Sequence, residues 1–148
     1  MRRATDIPGR AYWVGRLRAG LVIRKLRANL YGSNEYFEAQ GDGDVEEYVQ
    51  AAYRDILGRE PDPSGLGYWV DLIGGGTARG TVADRFLNTA EARTVVIRDL
   101  FLRWVDREPT PTEVSTWLAQ LGSSTVDGEA ALIRSLAGSS AYFTRPDA

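Results

Sequence analysis

The chain repeats itself. The segment DIPGRAYWVGRL at 6–17 returns as DPSGLGYWVDLI at 62–73, and a looser copy, TPTEVSTWLAQL, follows at 110–121. Their tryptophans, Trp13, Trp69 and Trp117, are spaced by 56 and then 48 residues. Recurrence at such a period makes the structural unit a supersecondary module of about 50 residues, which buries its apolar face by stacking on its neighbours. The expected organisation is a truncated first repeat at 1–40, a complete central repeat at 41–106 and a divergent third repeat at 107–148, packed as one or two compact units.

The overlay shows what the module requires. At one offset Asp6, Gly9, Tyr12, Trp13, Val14, Gly20 and Glu35 fall on Asp62, Gly65, Tyr68, Trp69, Val70, Gly76 and Glu91. LGREPDP at 57–63 falls on VDREPTP at 105–111, placing Tyr53 on Phe101. GSNEYF at 32–37 reappears as GSSAYF at 138–143, which requires two extra residues in the third copy, most naturally between Gly122 and Asp127.

The recurring positions are apolar, turn-forming or helix-capping. Asp44, with Glu47 three residues on, has the capping-box spacing, and Val45, Val49, Ala52 and Ile56 line one face of a helix that Gly58 stops. Asp62 and Pro63 start the next helix, which ends at Gly74 to Gly76. A helix over about 79–88 follows, and Thr89 then caps a long one carrying Val96, Ile97, Leu100, Phe101, Trp104 and Val105. The plan resumes at Thr110, with Glu113 as its capping-box partner and Gly122 as its stop. No run alternates with period two, so the fold class is all-α.

Composition narrows the chemistry. Of 148 residues 43% are hydrophobic, and no segment is low in complexity. A chain of this size buries roughly 68 to 70% of its unfolded surface, enough for a real core. It has no cysteine and no histidine, which removes thiolate and imidazole metal ligands and the commonest nucleophiles and general bases. Asp62, Asp71, Asp84 and Glu91 remain for a carboxylate pair, but two sit at cap positions and two on exposed faces. The chain therefore reads as non-enzymatic and without a cofactor. No apolar stretch is long enough to cross a membrane, and the first residues are not followed by the apolar core of a signal peptide.

Residues 52–93, AYRDILGREPDPSGLGYWVDLIGGGTARGTVADRFLNTAEAR, resemble the bacterial family known as domain of unknown function 4214. The resemblance lies in a tyrosine-bearing helix ending in Leu-Gly-Arg, an acidic-proline turn, Gly-x-x-Tyr-Trp, a glycine-marked loop and a Ser-x-Glu-type cap. It implies tandem helical modules within large secreted or surface proteins, a fold similar to the phycobilisome linker domain, and no known catalysis. The third repeat departs from it, lacking the Gly-Tyr pair and carrying Ala141 in place of the glutamate.

An exposed tryptophan could stack on a sugar ring, but a large apolar side chain recurring at one helical position is what packing demands, so Trp13, Trp69 and Trp117 are assigned to the core. Their neighbours Tyr12 and Tyr68 are the better contact residues. Arg3, Arg59 and Arg107 recur just past a helix end, where an arginine satisfies the last carbonyls. Pairing is expected between Arg59 and Glu91 and between Arg3 and Glu35, with Arg107 left unpaired because Ala141 stands where its glutamate would be.

Charge is uneven. Residues 1–40 carry eight basic against three acidic side chains, and 41–106 carry seven against twelve. The basic set Arg16, Arg18, Arg24, Lys25 and Arg27 could meet an anionic partner, although it equally suits a solvated face or one that meets the acidic face of the next module. A single lysine, no glycine-rich phosphate loop and a pI near 5.2 argue against nucleic acid. Asp42-Gly43-Asp44 opens like a calcium loop, but the twelfth position, which must be glutamate, is Tyr53.

The expected function is interaction or attachment to a protein or a cell-envelope polysaccharide, in an extracellular or surface protein of which this is part. The alternative is an intracellular linker joining protein subunits. The overlay also leaves the first repeat without the helix that precedes Arg59 in the second. The apolar stripe of Trp13, Leu17, Leu26 and Leu30 would then be open, which predicts either more chain upstream or self-association through residues 11–31.

Overall fold

The computed structural model describes residues 22–122 and 127–144, of which all but the side chains of 142 and 143 are characterised. Within them the architecture is all-α. The helices are α1 (Ile23–Tyr31), α2 (Asn34–Gly41), α3 (Val45–Ala52), a π turn (Tyr53–Leu57), α4 (Pro63–Gly74), α5 (Arg79–Leu87), α6 (Ala90–Val105), α7 (Pro111–Leu121), α8 (Gly128–Ala137) and α9 (Ser140–Phe143).

Local chemistry sets most of the boundaries. Ser33 and Thr89 cap α2 and α6 alike: the Ser33 hydroxyl donates to the Leu30 carbonyl and accepts from the Tyr36 amide, and Thr89 does the same with Phe86 and Ala92. Asp44 accepts from the amides of Glu46 and Glu47, which makes it the cap of α3. Asp62 accepts from the Gly65 amide ahead of Pro63, and a reciprocal capping box closes between Thr110 and Glu113. Each cap satisfies amide protons that a helix start would otherwise leave orphaned. The α7–α8 connection, Leu121 to Gly128, is two residues longer than the α4–α5 connection, Gly74 to Arg79.

One expectation changes. The helix from Val45 does not run regularly to Leu57, because its last five residues form a π turn. The spacing of Val49, Ala52 and Ile56 fits either pitch over so short a stretch, so periodicity could not separate i→i+4 from i→i+5 bonding.

Two larger cores and a smaller one result. Tyr48, Val49, Tyr53, Trp69, Val82 and Phe86 form the central one, from α3, the π turn, α4 and α5. Ile97, Leu100, Phe101, Val105, Leu121, Leu132 and Leu136 form the other, from α6, α7 and α8. Helix α6 spans the junction, packing on the π turn, α5, α7 and α8. The third joins α1 to α5 through Ala28, Ala83 and Leu87.

Candidate functional site

Helix α4 divides its two adjacent aromatics between core and solvent. Trp69 is 8% exposed, its ring 5.1 Å from that of Phe86, as a core assignment requires. Tyr68, one residue earlier, is 55% exposed. Its ring stands edge-on to Trp69 at 4.8 Å and 76°. Edge-to-face packing of this kind fixes an aromatic ring without burying it. Ser64 and Asp71 are exposed one turn to either side, so the outer face of α4 offers an oriented aromatic ring between a hydroxyl and a carboxylate. The ring can cover an apolar surface while its oxygen neighbours accept hydrogen bonds.

Beneath α4 the chain turns at Gly58, whose φ of 69° is left-handed and costs glycine least. Arg59 follows. Its guanidinium lies 5.1 Å from the Tyr53 ring centre, donates at 3.0 Å to the Glu60 carbonyl, and grips both oxygens of Glu91 at 2.7 and 2.9 Å. The expected Arg59–Glu91 pair is therefore present. It holds the Glu91 carboxyl below the usual carboxylate range. The Tyr53 hydroxyl occupies the space a Cβ on Gly65 would need, so a small residue is required there.

Arg107 corrects the sequence reading. Without a glutamate at position 141 it does not stay unpaired, but binds Glu113 at 2.7 and 2.9 Å and pulls that carboxyl down to about 2. Both arginines also donate forward, to the carbonyls of Glu60 and Glu108, rather than back to the preceding helix. Arg3 lies outside the described residues. Trp117 is half-buried against the α6–α8 core rather than fully enclosed.

The described members of the basic set are used internally. Arg24 is 8% exposed and donates to Asp84 on α5, to Asn88 and to the Leu121 carbonyl at the end of α7. Lys25 binds the second oxygen of Asp84 at 2.5 Å. Burial alone would raise the Asp84 carboxyl, but Lys25 and Arg24 outweigh it and hold it low. Arg27 grips both oxygens of Glu129 on α8, at 2.6 and 3.1 Å. Burial nonetheless pushes Glu129 up. These three residues meet acidic groups of later helices, so a free anion-binding face through Arg24, Lys25 and Arg27 is not what the chain builds. Sequence alone could not distinguish them from surface arginines, since their partners lie roughly 60 to 100 positions away.

Tyr12, Trp13, Arg16 and Arg18 lie outside the described residues, as do residues 11–21 of the 11–31 segment as a whole. Of its remainder, Leu30 is 51% exposed and Leu26 half-buried. Of the carboxylates considered for acid–base work, Asp62 caps α4, Asp84 and Glu91 are held by arginine, and Asp71 faces solvent. Among the described residues no group of three acidic side chains is arranged to hold a metal, and no helix is long and apolar enough to cross a membrane.

No curated protein and no solved structure matches the chain. Residues 27–96, from α1 into α6 and including Arg59, Tyr68, Trp69 and Glu91, match the family described as domain of unknown function (DUF4214).

Proposed function

We propose that this chain is a non-enzymatic helical module for interaction or attachment, part of a larger secreted or cell-surface bacterial protein, which meets its partner through the outer face of α4. The observation that carries this reading is Tyr68, a ring left 55% exposed yet oriented by Trp69. A rigid tyrosine supplies contact area at little entropic cost, and its flanking Ser64 and Asp71 suit the hydroxyls of a cell-envelope polysaccharide.

A second reading rests on Leu102, which is 43% exposed on α6 and would suit an apolar protein surface. In it the chain is an intracellular assembly linker between protein subunits. Co-sedimentation with purified cell-wall polysaccharide, beside a pull-down from the soluble extract, separates the two. Retention on the polysaccharide that Tyr68→Ala abolishes supports attachment. Retention unchanged by Tyr68→Ala, or none at all, removes it. Specific subunits captured by the parent and lost in Leu102→Ser would favour the linker.

A further inference from the structure

The outer face of α4 is rich in hydrogen-bond acceptors and poor in donors. Of its exposed polar side chains, Ser64 has already committed its proton, donating to Asp62 at 2.5 Å. The same carboxylate takes the Gly65 amide at 3.0 Å and lies 3.8 Å from the Arg59 guanidinium, so Asp62 is engaged within its own turn. What remains is the free side of the Ser64 oxygen, the Tyr68 hydroxyl and the exposed Asp71 carboxylate, to which none of the described residues brings a cation or a donor.

The charge of the segment has the same bias. From Glu60 to Ala78 the chain carries three acidic side chains and no basic one. Positions three and four apart on a helix are neighbours, about 5 to 6 Å between their Cβ atoms, which sets Asp71 and Ser64 on either side of the Tyr68 ring. The planes of Tyr68 and Trp69 meet at 76°, so Trp69 leaves at least one flat of the tyrosine uncovered. Only the central sequence copy assembles this set. At the matching positions the third has Thr116 and Ala119 for Tyr68 and Asp71, while the first keeps Tyr12 but has Gly15 for the acid and Arg10 and Arg16 for Leu66 and Leu72. Helix α7 forms without either side chain, so neither is needed to make the helix.

These groups discriminate among sugars. Uronates and phosphates would add negative charge to a face that already carries it. An N-acetylated sugar presents an amide carbonyl, for which the face holds no free donor beyond the tyrosine hydroxyl. A free amine supplies both donors and positive charge to Asp71, while the apolar flat of its ring covers Tyr68.

We propose that the outer face of α4 binds a polysaccharide of free-amine sugars, with an ammonium on Asp71, a ring hydroxyl on Ser64 and the sugar ring against Tyr68. This rests on Tyr68 being the attachment residue and names the class of polymer it takes.

The test is an amide NMR titration of the full chain with matched oligomers of glucosamine, N-acetylglucosamine, galacturonate and lysine. Saturable shifts along Ser64 to Leu72 are expected with glucosamine. The N-acetylated oligomer should bind roughly fivefold more weakly, the worth of one exposed ion pair, and galacturonate should give no saturable shift. Tyr68→Ala should weaken the glucosamine oligomer at least about tenfold, as loss of an anchoring aromatic does. Asp71→Asn should bring it down to the N-acetylated level, whereas Glu47→Gln, which removes the same charge from an exposed position on α3, should leave it unchanged. An N-acetylated oligomer that binds as tightly and is lost in Tyr68→Ala would overturn the free-amine assignment and leave attachment through Tyr68 in place. No saturable shift with either sugar would overturn both. Equal losses in Asp71→Asn and Glu47→Gln would reduce the effect to diffuse charge and overturn the proposal, as would a lysine oligomer that binds as tightly and depends equally on Tyr68.

Discussion

The turn at Gly58-Arg59 and the turn at Asp106-Arg107 begin as copies and end differently. Both enter the left-handed region, at φ of 69° and 54°. In both the arginine lies over an aromatic ring, Tyr53 at 5.1 Å or Phe101 at 5.0 Å, and donates to the next glutamate's carbonyl at 3.0 Å. From there the partners diverge. Arg59 reaches 32 positions ahead to Glu91 and ties its turn to the start of α6, whereas Arg107 reaches only six, to Glu113. The first turn is a tertiary clamp and the second a local one that also steadies the capping box of α7. One sequence motif therefore specifies the backbone and the stacking, while the distant residue decides whether the ion pair joins two elements or one.

The largest difference should appear in the tryptophans. Trp69→Ala is expected to cost about 3 to 5 kcal/mol, because it empties a buried site in the central core. Trp117→Ala should cost roughly half as much, its ring being partly solvated already. Equal shifts in urea midpoint would break the distinction between an enclosed central core and a looser core between α6, α7 and α8.

Next comes the residue that fastens the two regions together. Arg24→Gln should cost about 2 to 3 kcal/mol, since it removes charged hydrogen bonds to Asp84 and to the Leu121 carbonyl from a buried position. Thermal unfolding that stays a single transition in the variant would mean that α6 and the Arg27–Glu129 pair suffice to couple the two cores.

The turns themselves should respond with opposite sign. Gly58→Ala has space for its Cβ but forces a left-handed L-residue, at a cost of about 1 kcal/mol, while Asp106→Gly relieves that strain and gains about 0.5 to 1 kcal/mol. Two changes of the same sign would show that the turns are not equivalent in backbone demand.

The smallest effects are in pH. Glu113 titrates at about 2 rather than its ordinary 4.5, so its contribution is complete above about 4.5 and is lost as pH falls through about 2. Glu91, also depressed, should follow the same sense below the usual glutamate range. Glu129 has the opposite sign: raised by burial, it contributes most when protonated, below the usual range, and that contribution is lost as pH rises through its folded value. Side-chain carboxyl NMR titration reads each directly, and Glu91 and Glu129 moving in the same direction would contradict this assignment.

Much of the architecture was legible in the residues. Asp44, Asp62, Thr89 and Thr110 mark helix starts through bonds made within a few positions, and the structure places a cap at each. Tyr68 and Trp69 were separable too, because only the tryptophan recurs in all three copies. Arg107 was misjudged because the pairing was read from the missing glutamate at 141, although Glu113 was close at hand. That Asp71 meets no cation among the described residues left no pattern at all, since an acid on a helix face looks the same in sequence whether or not a distant arginine reaches it.

Local sequence thus determined the helices, their caps, the left-handed stops and the aromatic positions that turn inward, because each depends on interactions within one or two helical turns. Only the tertiary structure decided where Arg24, Lys25 and Arg27 spend their charges, that Glu129 is buried, and that the Tyr53–Leu57 turn takes π pitch against α6. Those outcomes depend on which distant helix arrives alongside, and the energy of a charge or a cavity is set by that neighbour rather than by the residue itself.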